Sequence, residues 1–230
     1  MAEHPRPDVS DMYAVHGVFR DTLGAAPRLV GGIAPDDEER VALIANYYDN
    51  VLSFLEAHHG GEEALVFPLL RERCADQLAL VEQMAEQHEK ALRLLAEARA
   101  SLAAWPAGDA ASQQAGDAAS QQAAEDALEA LHAQLLTHLD DEEAHLLPLA
   151  EANLSPEEWG ALPGHGLGHF EGDKIWLIIG LIRQRMNDEQ RAAMLENMPP
   201  PAVEMWTGFG EQAFKDYSQV VVVEVTPLPI

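Results

Sequence analysis

The chain has 230 residues, 47% of them hydrophobic, and carries 39 Asp and Glu against 14 Lys and Arg, a formal net charge of -25. That is enough for one large domain, or one domain with an appendage, around a buried core. So acidic a surface repels phosphate backbones and anionic lipid, which argues against nucleic acid and membranes as partners. The single cysteine, Cys74, leaves no internal disulfide and no thiolate metal site, only His and carboxylate for any metal.

The first residues, MAEHPRPD, lack the apolar run of a signal peptide. The longest strongly apolar run, 176–182, is far short of the roughly 20 residues that span a bilayer. A soluble, cytoplasmic protein is expected. Apolar residues at helical spacing predict a first helix over about 10–23, with Ser10 as cap and Gly24 as stop. A second begins near the acidic run at 36–39, which suits a helix N-terminus, and continues through Leu43, Val51 and Leu55 beyond His58. A third covers about 76–104 and a fourth about 124–152. Between them GDAASQQA occurs at 108–115 and again at 116–123. This polar duplication has no face to bury, so 106–123 reads as a flexible loop. Ser155-Pro156-Glu157-Glu158 opens a further helix with a Ser cap and Pro at the first position. Helices over about 170–186 and 188–197 follow, with another after Pro201, and the β-branched run 220–225 reads as strand-like.

The chemistry lies in an internal repeat. Residues 55–69 read LEAHHGGEEALVFPL and residues 135–149 read LLTHLDDEEAHLLPL, 80 positions apart, with Leu, His, Glu-Glu-Ala and Pro-Leu coinciding. A weaker echo precedes each copy: Met12 and His16, then Leu23, match Met84 and His88, then Leu95, in spacing. The chain thus reads as two helical hairpins related by a pseudo-two-fold, each supplying a His from its first helix and a His-x-x-x-Glu from its second. Residues four apart share a helix face, so His58 with Glu62, and His138 with Glu142, can aim at one point. His16 and His88 face them from neighbouring helices, in the bundle interior where such proteins build metal sites. Two buried carboxylates want a cation or a proton. This mix of nitrogen and oxygen suits iron, manganese or zinc, and the two-fold is best met if both Glu bridge two metals.

These motifs resemble the hemerythrin-like (HHE cation-binding) family: His16-Gly-Val-Phe-Arg20 followed by Leu23, HHGGEEALVFP at 58–68, QHEKAL at 87–92 and HLDDEEAHLLP at 138–148, over roughly residues 10–152. The resemblance implies an all-α, up-and-down four-helix bundle over 10–152, to which the helical segments read above add a C-terminal extension over 153–230. It implies two non-haem iron ions, oxo- or hydroxo-bridged, with His16, His58, His88 and His138 as terminal ligands and Glu62 and Glu142 as carboxylate bridges. The function implied is binding of, or reaction with, oxygen, peroxide or nitric oxide, which in an enzyme is di-iron oxidoreductase chemistry. The competing reading is an iron- or oxygen-responsive sensor or store without turnover.

One departure matters. Oxygen-carrying members have a His-x-x-x-His pair on the third helix, whereas His88 has Leu92 one turn on and Met84 one turn back. One iron therefore lacks a His, which leaves an open position or a substitute ligand and weighs against oxygen transport. His145, seven residues after His138, is the substitute nearest the same face. His165 and His169 have metal-like spacing but fall in a Gly-rich turn, as a lid at most. His59 points about 100° from His58 and reads as a surface residue. Glu63 and Glu143 read as solvated or as supports to the ligands, Phe54 as a wall of the site, and Cys74 as inert. Gly60 and Gly61 permit a close approach or a bend. Pro68 and Pro148 remove hydrogen bonds to Ala64 and Ala144, so each ligand helix should kink or end there.

Overall fold

Stripes of apolar residues at helical spacing draw four long helices together. The computed structural model describes residues 5–34, 36–106 and 117–222, and among them there is helix and no strand. Helix α1 (Ser10–Gly24) buries Met12, Val18, Phe19 and Leu23 on one side. A one-turn α2 (Ala26–Leu29) leads to α3 (Glu38–Gly61), whose first turn is capped by Asp37 accepting from the Arg40 amide at 3.1 Å. The chain then passes through a π-helical turn, Glu62–Val66, into α4 (Phe67–Arg73). After a 3-10 turn comes α5 (Leu78–Ala104). The return leg repeats the pattern: α6 (Ala118–Asp141), a π turn at Glu142–Leu146, and α7 (Leu147–Asn153). The bundle is therefore α1, α3–α4, α5 and α6–α7, up and down.

The two π turns follow from the two prolines. Pro68 and Pro148 have no N–H to offer the carbonyl four residues back, and the Phe67 and Leu147 amides bond instead to Glu62 and Glu142, five residues back. The ligand helices neither stop nor break at this point. Each gains one residue in a wide turn that begins at the glutamate of the His-x-x-x-Glu motif.

The core is divided in two by the polar residues of the repeat. On one side lie Phe19, Leu55, Leu95, Leu131 and Leu139; on the other lie Met12, Phe67, Met84, Leu146 and Trp159. On every helix of the bundle a His or Glu of the motif sits between a member of one cluster and a member of the other.

The loop expected over 106–123 is shorter at its C-terminal side. Asp117 accepts from the Ala119 and Ser120 amides, and α6 begins at Ala118, six residues before the expected start. Its Gln121 side chain donates to the Val30 and Ile33 carbonyls, which anchors a sequence that has little apolar surface of its own. The first copy of the octapeptide lies outside the described residues. The strand-like end is also corrected: Val220 and Val221 belong to a helix, while 223–225 lie outside the described residues.

Beyond the bundle run α8 (Pro156–Trp159), α9 (Leu162–His169), α10 (Ile175–Arg185), α11 (Asp188–Asn197), α12 (Pro200–Met205), a π turn at Trp206–Gly210 and α13 (Glu211–Val222). Ser155 makes the expected capping box with Glu158. These helices cover the face formed by α1 and α3. Asn50 on α3 ties them down, accepting from the Lys174 amide and donating to Asp173, both at 2.8 Å. Gly180 lets α13 close on α10, since a Cβ there would fall 2.2 Å from the Phe214 ring.

Candidate metal centre

The six residues that the repeat singles out converge at the level where the bundle core divides. His16, Glu62, His88, His138 and Glu142 are each at most 1% exposed, and the His58 side chain is 7% exposed. Glu62 lies between two imidazoles, 3.5 Å from His58 Nε2 and 3.4 Å from His88 Nε2. Glu142 likewise lies 3.4 Å from His16 Nε2 and 3.4 Å from His138 Nε2. Each carboxylate thus stands between one His of its own hairpin's ligand helix and one His from the first helix of the other pairing, as the pseudo-two-fold requires.

A seventh donor joins them that the helical-wheel reading placed on the surface. His59 is 1% exposed, stacked on His88 with ring centroids 4.1 Å apart and set edge-on to His138 at 5.2 Å. Neither of its ring nitrogens has a partner. Ligand atoms of His59, His88 and His138 lie within 4.8 Å of one another, as do those of His16, His58, Glu62 and Glu142. The inward direction of α3 falls between His58 and His59, so the 100° between them sends one ring toward α1 and the other toward α5. Glu62, four residues from one and three from the other, projects between the two.

The outer side of the imidazoles is held by a matched set of acceptors. His16 Nδ1 donates to Glu143 Oε1 at 2.8 Å and His88 Nδ1 to Glu63 Oε1 at 3.2 Å, a pair of contacts related by the repeat. Arg20 donates to the same Glu143 oxygen at 2.6 Å and to Asp140 at 2.8 Å. Burial opposes the ionisation of Glu143, but donation from His16 and Arg20 outweighs it and holds that carboxyl below the usual range. His138 Nδ1 donates to Gln87 Oε1 at 3.0 Å, and Gln87 in turn donates to Asp141 at 2.8 Å. A carboxylate only accepts, so these contacts put the imidazole protons on Nδ1 and leave the Nε2 lone pairs pointing inward.

That arrangement is unfavourable without a cation. His88 Nε2 and His138 Nε2 face each other at 3.2 Å with a lone pair on each. His16 Nε2, His58 Nε2, both Glu62 oxygens and Glu142 Oε2 are buried without a hydrogen-bond partner. Burial, and then the charges of neighbouring histidines, lower His58 and His59 well below their usual pKa and bring His138 down to about 2. Burial, and then the Glu142 charge, raise Glu62 well above the carboxylate range. Neutral imidazoles and two carboxyl groups, aimed inward and most of them without a hydrogen-bond partner, are a metal-ligand set.

The remaining candidates do not join this set. His145 is exposed. It falls inside the π turn, where each residue advances less around the helix than in α geometry, and so it leaves the face of His138. His165 and His169 lie on helix α9 where a turn was expected, stacked on each other at 4.0 Å, with His169 Nδ1 donating to the His165 carbonyl. Phe54 and Phe19 pack around the His58 ring as a wall. Cys74 is buried at the end of α4, its thiol pushed up by burial.

Fold and site together define a helix-bundle protein built to hold cations on His and Glu. The model of the hemerythrin HHE cation-binding domain matches residues 8–150, and the chain belongs to that family. No curated relative and no solved structure matches it.

Proposed function

We propose that the bundle holds two non-haem iron ions and binds or reacts with oxygen, peroxide or nitric oxide. His16 and His58 would serve one ion, and His59, His88 and His138 the other, with Glu62 and Glu142 shared between them. The observation that supports this reading is the convergence of five imidazoles and two carboxyl groups, with unpaired buried atoms on His16, His58, His59, Glu62 and Glu142. Iron in such surroundings, when bound, supplies Lewis-acid and one-electron chemistry toward a small ligand.

The protein's own residues set the conditions for that chemistry. Glu143, Glu63 and Gln87 hold the Nδ1 protons of His16, His88 and His138 and so fix each ring's orientation and basicity. His59 answers the missing second His of the third helix, so the group short of nitrogen is His16 with His58. That is the side bordered by a partly open cavity, through His58.

Metal analysis and an optical spectrum of the purified protein test the site. About two irons per chain are expected, and their loss in Glu62→Ala and Glu142→Ala. Metal content near zero in the wild type, or unchanged in both variants, overturns the assignment. Stopped-flow mixing of the iron-loaded protein with hydrogen peroxide, oxygen and nitric oxide tests the reactivity. Turnover with peroxide or oxygen identifies an oxidoreductase, and reversible spectral change alone a sensor or store.

A further inference from the structure

The C-terminal helices do not lie flat on the bundle. Between them and the α1–α3 face is a cavity of about 520 Å³. Its bundle side is formed by Met12, Val15, Phe54, Ala57, Gly61 and His58. The opposite side comes from α8–α11, including Trp159, Leu167, Phe170, Ile178, Ile182 and Met194. The gap is not a failure of these helices to pack: α10 closes on α13 to the limit that Gly180 permits.

The lining decides what fits. It contains no Lys or Arg among the described residues, and its only acidic members are Asp8 and Asp11. Both are already engaged, Asp8 by the Ser10 amide at 2.9 Å and Asp11 by Trp159 Nε1 at 3.2 Å. Gln190, Asn197 and Ser10 are the other polar side chains besides His58. A carboxylate or phosphate would therefore enter without a counter-charge and next to two acids, which is costly. An uncharged hydrocarbon surface loses nothing there and gains its burial, at about 25 cal/mol per Å². The volume lies within the roughly 300–1,000 Å³ range of organic-ligand pockets and far above the about 150 Å³ of apolar cavities that already take up benzene.

We propose that this cavity is a binding site for a neutral, predominantly hydrocarbon small molecule, aromatic or alkyl, whose inner end rests against His58 at the edge of the metal centre. The proposal goes beyond the reactivity of the iron site and does not depend on it.

Gly166 provides a clean test. It lines the cavity, and a Cβ built on it meets nothing within 4 Å. Gly168, on the same helix and equally open, does not line the cavity. The full-length protein is titrated with the neutral fluorophore N-phenyl-1-naphthylamine, with iron content and melting temperature measured on the same samples. Saturable binding near one probe per chain is expected. Gly166→Phe should weaken it about tenfold or more, Gly166→Leu by less, and Gly168→Phe not at all. Displacement by 1-decanol should be about tenfold tighter than by decanoate. Absence of saturable binding, equal binding by Gly166→Phe and Gly168→Phe, or displacement by decanoate as strong as by decanol overturns the proposal. Probe binding by a sample without iron leaves this site standing while the metal assignment falls; an iron-loaded sample that ignores the probe does the reverse.

Discussion

His59 shows how a single side chain changes the chemistry of the site. Beside His58 it looks like the outward member of a pair, because consecutive helical residues diverge by 100°. The repeat holds the corrective signal: the residue 80 positions on is Leu139, buried in the core, so the same position in the first copy also faces inward. Its three-residue spacing to Glu62 was the second signal. Because His59 is buried with both nitrogens unpaired, its replacement should have opposite effects on the two forms of the protein. His59→Leu, which copies Leu139, should stabilise the metal-free protein by about 1–3 kcal/mol, since an apolar group replaces an unsatisfied one. It should weaken metal binding in the same preparation. Thermal unfolding with and without chelator checks both; destabilisation of the metal-free variant would mean that His59 has a partner of another kind.

Among the elements, the ligand helices were legible in outline and wrong in detail. Pro68 and Pro148 announce an irregularity, but whether a proline ends a helix, bends it or is absorbed in a π turn depends on what holds the next segment. Here Leu70 and Ala150 beyond the prolines, with Phe67 and Leu147 just before them, are locked in the core, so the helices continue. The start of α6 was misplaced for a related reason. Ala, Ser and Gln carry no periodic signal, and only the Asp117 cap and the tether from Gln121 to the Val30 and Ile33 carbonyls fix 118–123 as helix. Gly60 invites a test at this scale. It is exposed in the last turn of α3, and a Cβ there meets nothing, while one at Gly61 would make only ordinary contact with Leu162 and His165. Neither glycine is needed for close packing, so Gly60→Ala should stabilise the protein by about 1 kcal/mol. Its melting temperature should rise with iron content unchanged; a fall would show that the helix bends at this point in a way Ala resists.

At the level of the whole molecule, the two hairpins and the extra helices were readable because each apolar stripe is local. The cavity was not, because its walls come from residues 7–61 and 156–198 and exist only once both are packed. The pH dependence of stability is likewise a property of the assembled bundle. With metal absent, the unfolded chain takes up protons at His58, His59 and His138 as the pH falls through 6.5, and the folded chain refuses them. Their contribution to stability is therefore complete above about pH 6.5 and is lost as the pH drops. Glu62 runs the other way: raised above 4.5, it destabilises the fold increasingly as the pH rises from there. Three imidazoles against one carboxyl leave a net loss on acidification. The melting temperature of chelator-treated protein should fall steadily between about pH 7 and pH 5, and a flat profile would mean that these histidines are protonated or exposed in the folded state. Metal binding satisfies both groups at once, so chelation at neutral pH should lower the melting temperature as well.

The proposed site joins five histidines and two glutamates around two irons. Metal content of the wild type beside His59→Leu tests it most directly. About two irons per chain in the wild type and about one in the variant are the expected values, since His16, His58 and the two carboxylates remain in place. Fewer than about one iron per chain in the wild type, or a count that His59→Leu leaves unchanged, would contradict it.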